Sequence, residues 1–250
     1  KASDGNIQLP IAFLVCNFTP PVADRPSLLT FDDVTTLFHE FGHGFHHMLT
    51  KSECAPVSGI NGVAWDAVEL PSQWFENWCW GKEVIPLISS HFCSGDPLPE
   101  IMLDKLLAAK HFQSGLQMLR QIEFALFDIV LHGATEQEPL SVLNEVRDEV
   151  AVVKPPVWNR FPNTFSHIFS GGYAAGYYSY KWAELLSADA FSLFEEHGLF
   201  DEVTSKLFLT NILERGGETD AGELFRQFRG RNPDIAALLR HNGIVIHEAA

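Results

Sequence analysis

The chain has 250 residues, of which 46% are hydrophobic and 20% are charged, and these values exclude an intrinsically disordered protein because they allow a substantial buried core. Its 32 acidic and 17 basic residues give a net charge of −15 at pH 7, spread along the sequence rather than collected in a tail. This charge predicts a well-solvated surface and argues against nucleic acid and anionic membrane as partners.

The four cysteines form no CxxC pair and do not indicate a disulfide framework. The sequence also shows no signal peptide and no apolar stretch long enough to span a bilayer. We therefore expect a cytoplasmic protein. Because the chain begins with Lys1 rather than Met and enters an apolar segment almost at once, we expect it to be part of a longer protein.

The first predicted element is a β-strand from Pro10 to Phe18, an unbroken apolar run that ends at two prolines. A helix follows, capped by Thr30 or Asp32, and its apolar residues recur at helical spacing as far as Met48. After a glycine-rich connection over residues 58–64, the stretch from Asp66 to Trp80 predicts a second helix with a proline in its first turns.

Apolar residues at i, i+3 and i+4 predict five more helices in the rest of the chain. They are expected at about 100–132, 140–152, 173–197, 201–215 and 220–240. Since no repeat, low-complexity segment or long linker interrupts the pattern, we predict one domain over residues 1–250. Its fold class is mainly α, with a small β element near the N-terminus.

The helix that ends near Met48 contains the motif His39-Glu40-Phe41-Gly42-His43. Two histidines four residues apart lie about 40° apart around a helix and one turn apart along it. Both imidazoles can therefore reach one metal ion, while Glu40 can address a water molecule in the open coordination position. This HExxH arrangement predicts a zinc peptidase centre with His39 and His43 as ligands and Glu40 as the general base.

A catalytic zinc usually takes a third protein ligand. The extended histidine pattern is excluded because Leu49 stands where the third histidine would fall. The acidic candidates are Glu53, Asp66, Glu69 and Glu76. Glu53 is too close to the end of the first helix, whereas the other three share one face of the second helix.

We predict Glu69 as the third ligand. Asp66 and Glu76 are either acceptors for the imidazole N–H groups or ordinary surface acids. His46 lies close to His39 around the helix axis, but since it is displaced by two turns, a role outside ligation is favoured.

All four tyrosines lie within residues 173–180, although the chain contains 20 phenylalanines. This bias indicates that phenolic hydroxyls are required there, and a neutral Tyr donor suits stabilisation of an oxyanion beside a metal. On a helix, Tyr173, Tyr177 and Tyr180 would share a face while Tyr178 points away. His167 could supply another donor. The alternative is an aromatic packing stripe with solvated hydroxyls.

Together these motifs, with Val68-Glu69-Leu70-Pro71-Ser72-Gln73 and Gly171-Gly172-Tyr173, resemble the thimet oligopeptidase family. The resemblance implies a mainly helical metallopeptidase that encloses its site in a deep channel and cleaves short peptides. It implies one zinc ion per chain, held by His39, His43 and Glu69, with Glu40 as the base. It further implies that His167, Tyr173, Tyr177 and Tyr180 contact the substrate and transition state, and we add Gly172 to the substrate-binding residues because a glycine permits close backbone approach.

The resemblance also implies a partner segment, because family members are several hundred residues longer on the N-terminal side. That segment forms the other wall of the channel. Two alternatives to an endopeptidase remain open. One is a dipeptidyl carboxypeptidase of the same family, and the other is a non-catalytic helical interaction module with a structural metal. The sequence does not indicate the oligomeric state or which divalent ion is native.

Overall fold

Helices make up most of the regular structure in the computed structural model, which describes residues 5–133 and 137–244. Within these residues no β-strand forms, and the β-type pairing is an isolated bridge between Val22 and Arg25. The prediction of a mainly α fold is therefore confirmed. None of the helices in the described part of the chain is both long enough and apolar enough to traverse a bilayer.

The α-helices of the described residues are, in chain order, α1 (Phe31–Met48), α2 (Leu70–Glu76), α3 (Ile85–Ile88), α4 (Glu100–Lys110), α5 (Ser114–Gly133), α6 (Pro139–Val150), α7 (Ser166–Phe169), α8 (Ser179–His197), α9 (Glu202–Phe208), α10 (Ala221–Arg229) and α11 (Ala236–His241). Short 3₁₀ segments occupy Ala55–Val57, Asn77–Trp80 and Phe161–Thr164, and a π-helical turn, Leu209–Leu213, continues α9.

Helix α1 begins at a capping box, which decides between the two predicted caps. The Thr30 hydroxyl accepts a hydrogen bond from the backbone N–H of Asp33 at 3.1 Å, and the Asp33 carboxylate accepts one from the Thr30 N–H at 2.8 Å. Two helix-terminal donors are thereby satisfied. Acidic residues in the first turn also complement the helix dipole.

Helices α1 and α2 cross in close contact at Gly42. A Cβ atom at this position would lie 2.5 Å from the Ser72 Cα and 2.6 Å from the Pro71 carbonyl oxygen. Such distances are far below van der Waals contact, so the backbones can approach this closely because residue 42 has no side chain. On either side of the crossing, Phe75 packs against Phe38 and Phe45 with ring centroids 4.8 and 5.3 Å away.

Two hydrophobic clusters support the helices. The larger cluster joins α2 to α8, α9 and α10, and Trp74 at its centre stacks on Phe208 with 4.0 Å between ring centroids. The second cluster joins α5 and α6 to the segment after Phe161, around the fully buried Phe127 and Leu143. Burial of large aromatic and aliphatic side chains is the main stabilising contribution in both clusters.

Three predicted helices are shorter or divided, and each difference occurs next to a residue with positive φ. Gln113 (φ 54°) separates α4 from α5, and Gly230 (φ 75°) ends α10 before α11 begins. Ala175 (φ 55°) lies in the turns before α8, which begins at Ser179 rather than at residue 173. A right-handed helix cannot continue through positive φ.

Helix α2 likewise begins at Leu70, after a series of turns, instead of at Asp66, and its proline lies in the first turn as predicted.

The predicted β-strand at residues 10–18 is wrong. These residues have no regular secondary structure, and Ile11 and Phe13 are 71% and 88% exposed. A strand is stabilised by hydrogen bonds to a neighbouring strand, and the described residues contain none to pair with it. The apolar composition that indicated a strand therefore does not determine the local conformation.

Candidate functional site

Three of the predicted site residues come together where α1 crosses the start of α2. Potential ligand atoms of His39, His43 and Glu69 all lie within 4.8 Å of one another. The Nε2 atoms of His39 and His43 lie 3.3 and 3.1 Å from Oε2 of Glu69. Two imidazole nitrogens and one carboxylate, with the histidines partly exposed and the glutamate buried, form a donor set that fits zinc and leaves room for a further ligand.

The backbone arrangement explains why these three side chains meet. The four-residue spacing places both imidazoles on the face of α1 that crosses α2, and the contact at Gly42 brings the N-terminal end of α2 against that face. Glu69 immediately precedes α2. Its carboxylate is oriented by the Ser72 hydroxyl, which donates to Oε2 at 2.9 Å.

The electrostatics of the group favour a cation between the three side chains. Burial by itself would raise the pKa of the Glu69 carboxyl, but hydrogen bonds from His39 and His43 hold that pKa far below its usual range. Burial by itself would lower the pKa of His39, but hydrogen bonds to Glu69 and Glu76 raise it to about 10. A buried, ionised carboxylate thus faces two imidazoles, whose nitrogen atoms can bind either a proton or a metal ion.

Glu76 and Asp66, the two predicted outer acceptors, have different surroundings. The Oε1 atom of Glu76 lies 2.5 Å from Nδ1 of His39, which fixes the orientation of that ring and directs Nε2 toward Glu69. Asp66 instead accepts a hydrogen bond from the Tyr178 hydroxyl at 3.3 Å. The structure therefore places Glu76, but not Asp66, against a histidine of the group.

His46 and Glu40 lie on the same helix but outside the ligand group. Burial, together with the charges of neighbouring His43 and His47, lowers the pKa of His46 to about 4, so His46 is a neutral, buried side chain. Glu40 is partly exposed. Its carboxylate makes no hydrogen bond or ion pair with the described residues, which leaves it available to accept a proton.

The predicted tyrosine group also comes together, and it contacts the ligand group directly. The Tyr173 hydroxyl donates to Oε1 of Glu69 at 2.8 Å. Its ring stacks on Tyr180 with 4.8 Å between centroids, and Tyr177 lies 5.2 Å from Tyr180. The exposed His167 ring lies about 6 Å from each of these three rings, at centroid distances of 5.7–6.4 Å.

The tyrosines do not share a helix face, because Tyr173 and Tyr177 precede α8. They lie in a glycine-containing segment of turns at residues 171–178, which we call the tyrosine segment. Tyr178 points away from the group, as the sequence predicts. The turns, rather than helical periodicity, bring the other three hydroxyl-bearing rings together.

The environment keeps these phenols protonated. Burial raises the pKa of Tyr177 to about 12, and burial also raises the pKa of Tyr180. For Tyr173, burial and the hydrogen bonds with Tyr180 and Glu69 raise the pKa further. Neutral phenols can donate a hydrogen bond to an oxyanion, so the group suits that task at physiological pH.

Gly172 and Trp65 lie at the edge of the tyrosine group. Gly172 has a φ of 85° and, if it carried a Cβ, would contact the Trp65 ring at 3.7 Å. The Trp65 indole is 56% exposed and meets Tyr173 edge-on at 4.8 Å. Trp65 and the buried Asp128, which bonds the tyrosine segment, carry no sequence motif, and sequence reasoning missed both.

Residues 1–244 match the profile described as Peptidase family M3. Oligopeptidase A from Salmonella typhimurium is 56% identical over 248 residues, which make up 98% of this chain and 36% of that protein. The probable cytosolic oligopeptidase A of Arabidopsis thaliana is 49% identical over 98% of this chain and 36% of its own length.

A dipeptidyl carboxypeptidase from Escherichia coli is 36% identical over 95% of this chain and 35% of its own length. The chain thus spans about a third of the length of the curated relatives it matches.

Proposed function

Because this chain belongs to peptidase family M3, we propose that its ligand group is the catalytic centre of a zinc-dependent oligopeptidase. Membership confirms the resemblance to the thimet oligopeptidase family, and the resemblance to bacterial oligopeptidase A extends over 248 residues at 56% identity. The observation that carries the proposal is the convergence of His39, His43 and Glu69, whose ligand atoms lie within 4.8 Å of one another.

One zinc ion would be held by His39 Nε2, His43 Nε2 and the Glu69 carboxylate. When bound there, zinc supplies Lewis acidity, which activates water and polarises the carbonyl of the peptide bond. Glu76 orients His39 through Nδ1, and Ser72 orients Glu69. These contacts hold the donor atoms in place before the ion arrives.

Glu40 is the general base. It takes a proton from the attacking water and later delivers it to the nitrogen of the leaving amine. This role requires a carboxylate that is not a metal ligand and is not already bonded elsewhere. Glu40, one residue from the ligand His39, makes no hydrogen bond or ion pair with the described residues.

The tyrosine group and His167 stabilise the negative charge that develops on the carbonyl oxygen. Tyr173 and Tyr180 act as neutral donors, and His167 adds a donor from the exposed side. Because the Tyr173 hydroxyl donates to Glu69, it must exchange that hydrogen bond for one to the substrate oxygen. Tyr177 and the backbone at Gly172 bind the peptide beside the cleaved bond.

The substrates are short peptides cleaved at internal bonds, and the rest of a longer enzyme is the partner that completes the channel around them. A cytoplasmic location is part of the same proposal. The dipeptidyl carboxypeptidase of E. coli, 36% identical to this chain, supports a second candidate activity. Analysis of the products separates the two, since a dipeptidyl carboxypeptidase releases C-terminal dipeptides only.

The test combines elemental analysis with cleavage of a quenched fluorescent peptide of about ten residues, measured with and without a chelator. We expect one zinc per chain and cleavage that the chelator abolishes. The Glu40→Gln variant should retain zinc and lose cleavage by at least about 10²-fold. Absence of a bound metal would refute the proposal, and full activity of Glu40→Gln with zinc bound would refute the role of Glu40.

A further inference from the structure

Helix α5 contributes no residue to the ligand or tyrosine groups, yet its Asp128 bonds directly to the tyrosine segment. The Asp128 side chain is fully buried. Its Oδ1 accepts the backbone N–H of Ala175 at 2.9 Å, and its Oδ2 accepts the N–H of Tyr177 at 2.8 Å. Each carboxylate oxygen therefore accepts an N–H from one short stretch of backbone, and Oδ1 also lies 2.8 Å from Nδ1 of His132 on the next turn of α5.

This stretch needs such support. Ala175 has a φ of 55°, a conformation that is unfavourable for a residue with a Cβ. Glycines at positions 171, 172 and 176 allow many other conformations. Charge-assisted hydrogen bonds to a buried carboxylate are strong, and the two donors flank residue 176, so together they select one conformation of the turn.

Helix α5 also holds the other end of the Tyr177 side chain. The Tyr177 hydroxyl donates to Oε1 of Gln121 at 3.1 Å, and Gln121 lies two helical turns before Asp128 on the same face. Tyr177 is thus fixed at its backbone and at its hydroxyl by one helix. Tyr173 lies two residues before the first anchored N–H, that of Ala175. Its position therefore depends on the same contacts, and its hydroxyl donates a 2.8 Å hydrogen bond to Glu69.

We propose that Asp128 is a positioning residue for catalysis. It touches neither the metal ligands nor the substrate, and it acts by holding the tyrosine segment where Tyr173 and Tyr177 face the reacting peptide. This inference rests on the proposed function, because it names what places the oxyanion donors of that reaction.

Asp128→Asn in the natural full-length protein provides the test, since it keeps the side-chain shape but replaces one acceptor oxygen with an NH₂ group. We expect kcat to fall about 10- to 100-fold with zinc content unchanged, and KM to rise as well because Tyr177, which binds the peptide, moves with the segment. Hydrogen exchange of residues 171–178 should accelerate. In a Tyr173→Phe background, the same substitution should lower kcat much less, because both changes act on one group.

Glu123→Gln is the matched control. Glu123 is a buried acid on the same helix, and its carboxylate bonds Arg120 and Arg147 rather than the tyrosine segment. This variant should be destabilised but should keep kcat per zinc-loaded site and the exchange rate of residues 171–178. Equal losses of kcat in the two variants would show that Asp128 is merely structural and would overturn the inference.

If Asp128→Asn does not fold, Ala175→Val provides a second test, because Ala175 is the exposed residue whose N–H bonds to Asp128. A β-branched residue at positive φ displaces the turn, whereas Ala174→Val, at an exposed neighbour without positive φ, should be silent. An Ala175→Val enzyme with wild-type kcat would overturn the inference.

A wild-type protein without chelator-sensitive cleavage would refute the proposed function and with it the catalytic role of Asp128. The exchange comparison would still show, separately, whether Asp128 holds the segment. Loosened exchange with kcat intact refutes the positioning role alone.

Discussion

Replacement of Gly42 by alanine should separate α1 from α2 and weaken metal binding. The new Cβ would lie 2.5 Å from the Ser72 Cα, whereas carbon atoms prefer a separation of about 3.5 Å. The helices must therefore move apart by about 1 Å. The atoms in the way belong to the backbone of Pro71 and Ser72, so no side-chain rotation can relieve the overlap.

The magnitude follows from two opposing terms. Overpacking of this kind costs about 1–3 kcal/mol, and the better helix propensity of alanine returns about 1 kcal/mol. Gly44→Ala isolates the first term, because it gains the same propensity while its Cβ meets the movable end of Leu14 at 3.3 Å. Gly42→Ala should therefore be about 1–3 kcal/mol less stable than Gly44→Ala in urea unfolding.

Zinc affinity is the more direct assay of the same geometry. Metal–ligand distances tolerate about 0.2 Å, so a shift of about 1 Å between the histidines and Glu69 should weaken zinc binding at least about tenfold in a chelator competition. Gly44→Ala should bind zinc as the wild type does. Equal zinc affinity and equal stability in the two variants would refute the view that contact at Gly42 sets the ligand geometry.

Three further predictions test other parts of the molecule. Glu76→Gln should weaken zinc binding about 10- to 100-fold in the same competition, because the acceptor that orients His39 loses its charge. Trp74→Ala should cost about 3–5 kcal/mol in urea unfolding, since it empties the centre of the larger cluster. Burial alone would raise the pKa of Asp189, but hydrogen bonds with Arg231 and Arg229 hold it below its usual value. The resulting stabilisation is present above the usual pKa and is lost as the pH falls through the depressed one. In Asp189→Asn, the free energy of unfolding should therefore decrease less as the pH is lowered.

The sequence predicts the convergence of the three candidate ligands, for a physical reason. Helical periodicity places His39 beside His43, and the shared face of Asp66, Glu69 and Glu76 limits the choice of a third ligand. The tyrosine group can be predicted from composition, because phenylalanine fills most other aromatic positions of this chain. The prediction that one helix carries all of these tyrosines was wrong, since turns around Ala175 precede α8.

Features that depend on distant parts of the chain could not be predicted. The apolar run at residues 10–18 indicated a strand, but strand formation depends on a partner that no local pattern reveals. Asp128 interrupts the apolar run of residues 124–131, which is a sign of burial, but no local pattern shows which distant groups its carboxylate would contact. Only the fold shows that its carboxylate meets the backbone of Ala175 and Tyr177, 47 and 49 residues away.

The two halves of the candidate site, the ligand group and the tyrosine group, belong to different hydrophobic clusters. The candidate metal ligands depend on α1 and α2, whereas the tyrosines rest against α5 in the second cluster. The hydrogen bonds that join the halves include one from Tyr173 to Glu69 at 2.8 Å and one from the Gln73 side chain to the Tyr180 carbonyl at 3.1 Å. Since Glu69 is shared, any change in the charge it faces alters the strength of the Tyr173 hydrogen bond. If the proposed function is correct, metal loading and the placement of the oxyanion donors are therefore energetically coupled through one carboxylate.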